Sequence, residues 1–273
     1  MNARSKRSLA AALLSCMVAC PLPALAGSYE VVFRDEFDYL GAPDPEKWTY
    51  DEGTGRNGWG NGEAQYYTSS GNAWVDGECL VIEARKERRD TAEYTSAKLI
   101  TKGLHEWKEG IIEIRAKLPV GRGTWSAIWL VPEDKRYGGW VDSGEIDLVE
   151  YVGCERGIVY SSLHTHENNS SQKNPITNSL DLGDEDEDFH IYVLEWTQDV
   201  IIIYVDNEEL LRYEKPESSQ EEAWKTWPFD LPFYLIMNVA VGGSWGGYMG
   251  IDDECFPQRM MVDYVRVYQK PDE

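Results

Sequence analysis

Apolar and polar residues alternate along this chain with a period of two far more often than with the 3.6-residue period of a helix. Short runs rich in Val, Ile, Tyr and Trp occur at residues 29–33, 79–85, 110–118, 124–131, 145–151, 158–164, 190–196, 200–205, 233–239 and 260–268. Gly, Asp, Asn and Pro separate them, the pattern of an all-β sandwich or barrel. Within 112–118, Glu113, Arg115 and Lys117 point one way while Ile112, Ile114, Ala116 and Leu118 point the other. One face of that sheet is therefore polar. Asp206-Asn207, between 200–205 and 210–213, predicts a hairpin with Asn in a left-handed position. Residues 168–179 and the acidic 184–188 read as loops, and 216–227 as the place for one short helix. With no repeat, heptad or linker, the pattern predicts a single domain.

The first 26 residues follow a different rule. Arg4, Lys6 and Arg7 precede the largely apolar stretch 9–18, and small residues surround Ala24-Leu25-Ala26. That order predicts a signal peptide over 1–26, ahead of a mature domain at 27–273. Met17-Val18-Ala19-Cys20 resembles a lipoprotein cleavage box, so the exported chain is expected in the periplasm, at the cell surface or secreted, free or tethered to an outer membrane through a lipidated Cys20. Removing 1–26 leaves 23 of the 26 cations against 48 anions and takes the formal charge from −22 to −25. Such a surface repels nucleic acid, anionic membranes and sulfated polysaccharides, and a neutral substrate suits it best. Cys79, Cys154 and Cys255 remain; their odd number and spacing suggest no metal cluster, and permit either one disulfide or three thiols.

Aromatic content changes the picture further. Eleven Trp and sixteen Tyr exceed what one core requires. Trp59, Trp140 and Trp245 sit beside Gly in turn-like contexts, where flat rings stack on the C–H faces of sugars. Trp48, Trp129 and Trp196 read as core residues.

The chemistry is concentrated in Gly144-Glu145-Ile146-Asp147-Leu148-Val149-Glu150. In a regular strand Glu145 and Asp147 share a face and Glu150 takes the opposite one. An unpaired carboxylate turned into an apolar core costs several kcal/mol. A β-bulge at Leu148-Val149 would instead return Glu150 to the face of the other two. Unbent, positions four apart lie ~13 Å from each other at ~3.3 Å per residue; pleat, twist and side-chain lean bring the carboxyls toward the ~5–5.5 Å of a retaining glycosidase. Three crowded anions cannot all ionise, and the least solvated, expected to be Glu150, should keep its proton. A solvated acidic edge strand or a Ca²⁺ site would also give clustered carboxylates, but the alternating apolar neighbours fit a central strand.

This segment resembles the active-site signature of glycoside hydrolase family 16, in its laminarinase-like branch with a bulged catalytic strand. The resemblance continues through Phe33-Arg34-Asp35-Glu36-Phe37-Asp38, Trp59-Gly60-Asn61-Gly62-Glu63, Gln65-Tyr66-Tyr67-Thr68, Arg115-Ala116-Lys117-Leu118-Pro119, Gly123-Thr124-Trp125, Gly139-Trp140, Leu163-His164-Thr165, Phe189-His190, Glu195-Trp196 and Val262-Asp263-Tyr264-Val265-Arg266-Val267-Tyr268. It implies a jelly-roll sandwich of two bent antiparallel sheets with an open concave cleft. It further implies a retaining endo-β-1,3-glucanase, with mixed β-1,3/1,4-glucan as a second substrate. Glu145 would be the nucleophile, Asp147 its assisting neighbour and Glu150 the acid/base. Trp125 and Trp140 would stack on sugars, while Asn61, Arg115 and His164 would hydrogen-bond them. A monomer without a catalytic cofactor is implied, as is a structural Ca²⁺ on the carbonyls of Glu36 and Gly77 and the carboxylate of Asp263. Ser126 and Val141 depart from the Pro often found at those places, and residues 164–169 depart from the usual loop. The alternatives are another β-glycan such as a galactan or mucin-type glycan, a transglycosylase, and a glucan-binding lectin.

Overall fold

The computed structural model describes residues 29–183, 187–219 and 221–271. The signal-peptide segment, Cys20 and part of the acidic 184–188 loop lie outside them. Two antiparallel sheets face each other. One has seven strands in the order Ile176–Asp181, Ile158–His164, Glu145–Val152, Thr124–Pro132, Phe233–Val241, Lys98–Ile100 and Thr49–Tyr50. The other has nine, with Gly110–Lys117 and Gln258–Gln269 at its centre and Glu30–Asp35 paired to the latter. This is the jelly-roll sandwich expected.

Alternation decides what lies between the sheets. Ile112, Ile114 and Ala116 of one sheet meet Ile128, Leu130 and Ile146 of the other in a continuous apolar core. Trp48 and Trp196 belong to that core, as expected. Asp206 and Asn207 both take positive φ, 48° and 72°, which closes the predicted hairpin between Val200–Val205 and Glu208–Glu214.

Three expectations need correction. The 168–179 segment is not all loop: Ile176–Asp181 forms the edge strand of the seven-stranded sheet, and a polar solvent face hid its periodicity. The 216–227 helix shrinks to one 3₁₀ turn, Ala223–Lys225. Trp129 is not a core residue: it lies across from Asp147 on the outer face of the seven-stranded sheet. Cys79, Cys154 and Cys255 are all unbridged thiols.

Candidate active site

The Glu145–Val152 strand carries the bulge that its sequence demands. Against one neighbour, Asp147 pairs with Ser162 and Glu150 with Tyr160, so three steps face two. Against the other, Asp147 pairs with Trp129 and Val149 with Ile128, so two steps face one. Leu148 and Val149 are consecutive yet both fully buried in the core. The Ser161 hydroxyl donates to the displaced Leu148 carbonyl at 2.7 Å. Glu145, Asp147 and Glu150 consequently share the outer face. Gly144 delivers the chain into this strand at φ 88°, and a side chain there would meet the Pro228 ring at 2.8 Å.

Each carboxylate has a distinct set of neighbours. The Trp140 indole N–H donates to Glu145 Oε2 at 2.5 Å, and the Trp125 indole N–H to Glu150 Oε1 at 3.1 Å. Nε2 of His164 lies 3.0 Å from Asp147 Oδ2 and 4.0 Å from Glu145 Oε1. Trp245 packs edge-on against Trp125 and Tyr160, with centroids 5.7 and 4.9 Å away. Gly246 permits this, since a Cβ there would fall 2.7 Å from the Trp125 Cβ. Trp140 stands 58% exposed above the sheet, and the Trp140–Val141 peptide is cis. The unusual 164–169 loop is fastened to the Trp140 loop by His166 Nδ1 and Asp142 Oδ1, 2.7 Å apart. Asn61 lies close by, its carbonyl accepting from Ser244 N at 2.8 Å and its side chain donating to Glu63 at 3.3 Å.

Burial dominates the electrostatics. It pushes Glu145 up to about 8, with the Asp147 charge adding to the rise and His164 and Trp140 opposing it. Glu150 rises to about 7, again chiefly through burial, with His164 opposing and Glu145 reinforcing. Asp147 is driven well above the usual carboxylate range by burial and then by the Glu150 charge. The Asp147 charge bears on the buried Glu145, so a proton on one of the two relieves their repulsion. Asp147 is the less solvated, with 4% of its side chain exposed against 13% for Glu145, so the proton belongs on Asp147 and Glu145 is free to ionise. This corrects the expectation that Glu150 is the least solvated of the three: it is 9% exposed and Asp147 3%.

The structure thus brings Glu145, Asp147, Glu150, Trp125, Trp140, His164 and Asn61 together. It does not bring Arg115. That residue lies on the outer face of the nine-stranded sheet, where its guanidinium meets Asp263 at 2.6 Å and packs 4.6 Å over the Phe189 ring. Asp263 belongs to the same remote sheet, Glu36 directly follows its Glu30–Asp35 strand, and Glu36 binds Arg266 through both carboxylate oxygens. Sequence reasoning missed Trp129, which donates to Asn238 at 2.7 Å. It also missed Tyr160, Glu63 and Lys98, a buried cation 4.4 Å from the Trp59 ring and 3.2 Å from Asp51. The face shared by positions 125 and 129 was a usable signal for Trp129.

Comparison with known proteins agrees with this geometry. The family model described as glycosyl hydrolases family 16 matches residues 61–266. The chain belongs to this family. It is 47% identical to a β-glucanase of Rhodothermus marinus, over 94% of this chain and 93% of that one. The X-ray structure of the laminarinase from Rhodothermus marinus superposes with a TM-score of 0.84, covering 89% of this chain and 98% of that one, at 47% identity. A non-specific endo-β-1,3(4)-glucanase of family 16 gives a TM-score of 0.82 at 42% identity, covering 89% and 92%. Membership of family 16 accounts for the two-sheet sandwich.

Proposed function

We propose that this protein is a retaining endo-β-1,3-glucanase that also cleaves mixed β-1,3/1,4-glucan. The observation that carries the reading is the bulge, which sets two glutamates and an aspartic acid on one open face between Trp125 and Trp140. Glu150, poised near neutrality, donates its proton to the leaving glycosidic oxygen as Glu145 attacks the anomeric carbon. Protonated Asp147 removes the repulsion that, together with burial, would keep the nucleophile neutral. Glu150, now ionised, takes a proton from water, whose oxygen displaces Glu145 and restores the original anomeric configuration. The chemistry needs no cofactor. Trp125 and Trp140 serve as stacking platforms, with Asn61 and His164 as polar contacts.

A structural Ca²⁺ on the Asp263 side is a separate proposal. Oδ2 of Asp263 is taken by Arg115, but Oδ1 and the carbonyls of Glu36 and Gly77 accept no hydrogen bond among the described residues. Those are the oxygen donors that Ca²⁺ uses. Export through residues 1–26 completes the reading, and the −25 formal charge of the mature chain favours a neutral polysaccharide over a sulfated one. Product analysis on laminarin, mixed-linkage glucan, agarose, carrageenan and mucin tests the substrate class. Laminarin should be cut fastest, into oligosaccharides; faster cleavage of carrageenan would refute the assignment.

A further inference from the structure

Glu145, Asp147 and His164 also constitute a nitrogen–oxygen donor set. One ligand atom from each lies within 4.8 Å of the other two, and the His164 Nε2 separations are 3.0 and 4.0 Å. In a tetrahedron with metal–ligand bonds of ~2.0–2.2 Å, neighbouring donors stand about 3.3 Å apart. Small side-chain rotations would therefore close the trio around a dication, which displaces the Asp147 proton to solvent. Asp147 Oδ2 is buried and accepts no hydrogen bond among the described residues, although an imidazole nitrogen lies 3.0 Å away. Asp147 Oδ2 has no aligned hydrogen bond, and His164 Nε2 pairs with it electrostatically only when the imidazole is protonated, so both atoms can turn to a third centre. Trp140 holds Glu145 Oε2 and leaves Oε1 as the oxygen nearer His164. The fourth position opens on the cleft.

We propose that this trio is an inhibitory binding site for a transition-metal dication, Zn²⁺ in particular, which competes with the sugar for the nucleophile. An imidazole and a low ligand number favour Zn²⁺ over Mg²⁺ and Ca²⁺, which take more oxygen ligands. His164 Nδ1 is buried with no hydrogen-bond partner among the described residues. A ligating histidine ordinarily donates its second N–H to an acceptor, and losing that support weakens metal affinity by about 10–100-fold. The ion therefore exchanges with solvent and acts as a reversible brake.

Isothermal titration of the chelator-stripped mature protein with ZnCl₂ tests this, with MgCl₂ and CaCl₂ titrated alongside. Zn²⁺ should fill one site in the cleft that the other ions do not. H164Q and, independently, D147N should each remove it without lowering the melting temperature, whereas E150Q, whose carboxylate lies outside the set, should retain it. With the wild-type protein, Zn²⁺ at ten times its dissociation constant should raise the apparent KM for laminarin by about tenfold with kcat unchanged, and EDTA should reverse the effect. Zn²⁺ titrations of folded H164Q or D147N identical to wild type would overturn the proposal, as would inhibition that laminarin does not compete away. The site shares residues with the proposed chemistry, but the titration needs no substrate. A chain that binds Zn²⁺ here and cuts no glucan would keep this inference and lose the glucanase reading.

Discussion

The outer faces of the two sheets hold carboxylates in opposite company. On the nine-stranded sheet, Glu83 is 4% exposed and takes both Arg85 and Arg259, the latter at 2.6 Å. Glu113 is 3% exposed and lies 3.5 Å from Arg266, which also grips Glu36. On the seven-stranded sheet, Glu145, Asp147 and Glu150 have one imidazole and two indole N–H groups among them. Arg266 holds the Glu36 carboxyl below its ordinary range, whereas burial lifts all three carboxyls of the cleft. The residue types are alike, and the cations make the difference. A carboxylate with a guanidinium beside it keeps its charge fixed and serves structure; without one it keeps a transferable proton and serves chemistry.

The severest way to break this comparison is to remove the nucleophile. Glu145→Ala should lower kcat on laminarin by on the order of 10⁴–10⁶-fold, and azide should restore turnover with inversion, which product NMR would show. Rescue with retention would reassign the residue. Next in size, Glu150→Ala should cost about 10²–10⁴-fold on polysaccharide and far less at the glycosylation step of aryl glycosides with acidic leaving groups. Azide should give retained product there, read by the same NMR assay.

Two stability measurements sharpen the contrast. Glu150 binds its proton more tightly folded than unfolded, so its contribution to stability falls as pH rises from about 4.5 to about 7. Glu150→Gln should therefore melt above wild type at pH 8 by about 2–4 °C for each kcal/mol relieved, with the gap vanishing near pH 4. Glu36 has the opposite sign: its lowered value stabilises the fold above the ordinary Glu range, and the contribution is lost as pH falls. Glu36→Gln should cost no more than about 1 kcal/mol at pH 7, since the pair is solvated, and still less at pH 3. Melting curves of both variants at the two ends of pH would expose equal slopes if the comparison were false. The smallest expected effect belongs to Arg115→Ala, which should leave kcat/KM on laminarin within about twofold and cost about 0.2–1 kcal/mol through the half-exposed Asp263 pair. A large rise in KM would return Arg115 to the substrate.

Much of the cleft was legible in the sequence because its rule is local. The odd spacing from Glu145 to Glu150, set against an apolar core, leaves a bulge as the economical solution, and the registers contain it. Arg115 was misplaced because alternation shows that a face is polar without telling which sheet owns it. Strand order, which comes from long-range pairing, supplies that. Trp129 was misread for a related reason: a large ring in an apolar run looks like core until its neighbour across the sheet, Asp147, is known. Where the proton sits was beyond the sequence as well, since it depends on a few per cent of exposure that only packing sets.

The bulge also makes the catalytic strand respond asymmetrically to changes in its length. Deleting one of Leu148 and Val149 would heal the irregularity and leave Glu145, Asp147 and Glu150 at every second position of a plain strand, still facing the cleft. Adding one residue to a healed strand recreates the present arrangement only if the chain absorbs it as a kink; otherwise everything downstream inverts, with Glu150 inward and Tyr151 outward. Two lengths of the same segment thus satisfy one chemistry. They would differ in local coiling, because the extra residue deepens the twist beneath the sugar. The floor of the cleft can therefore be reshaped by a single-codon deletion without moving either glutamate off it.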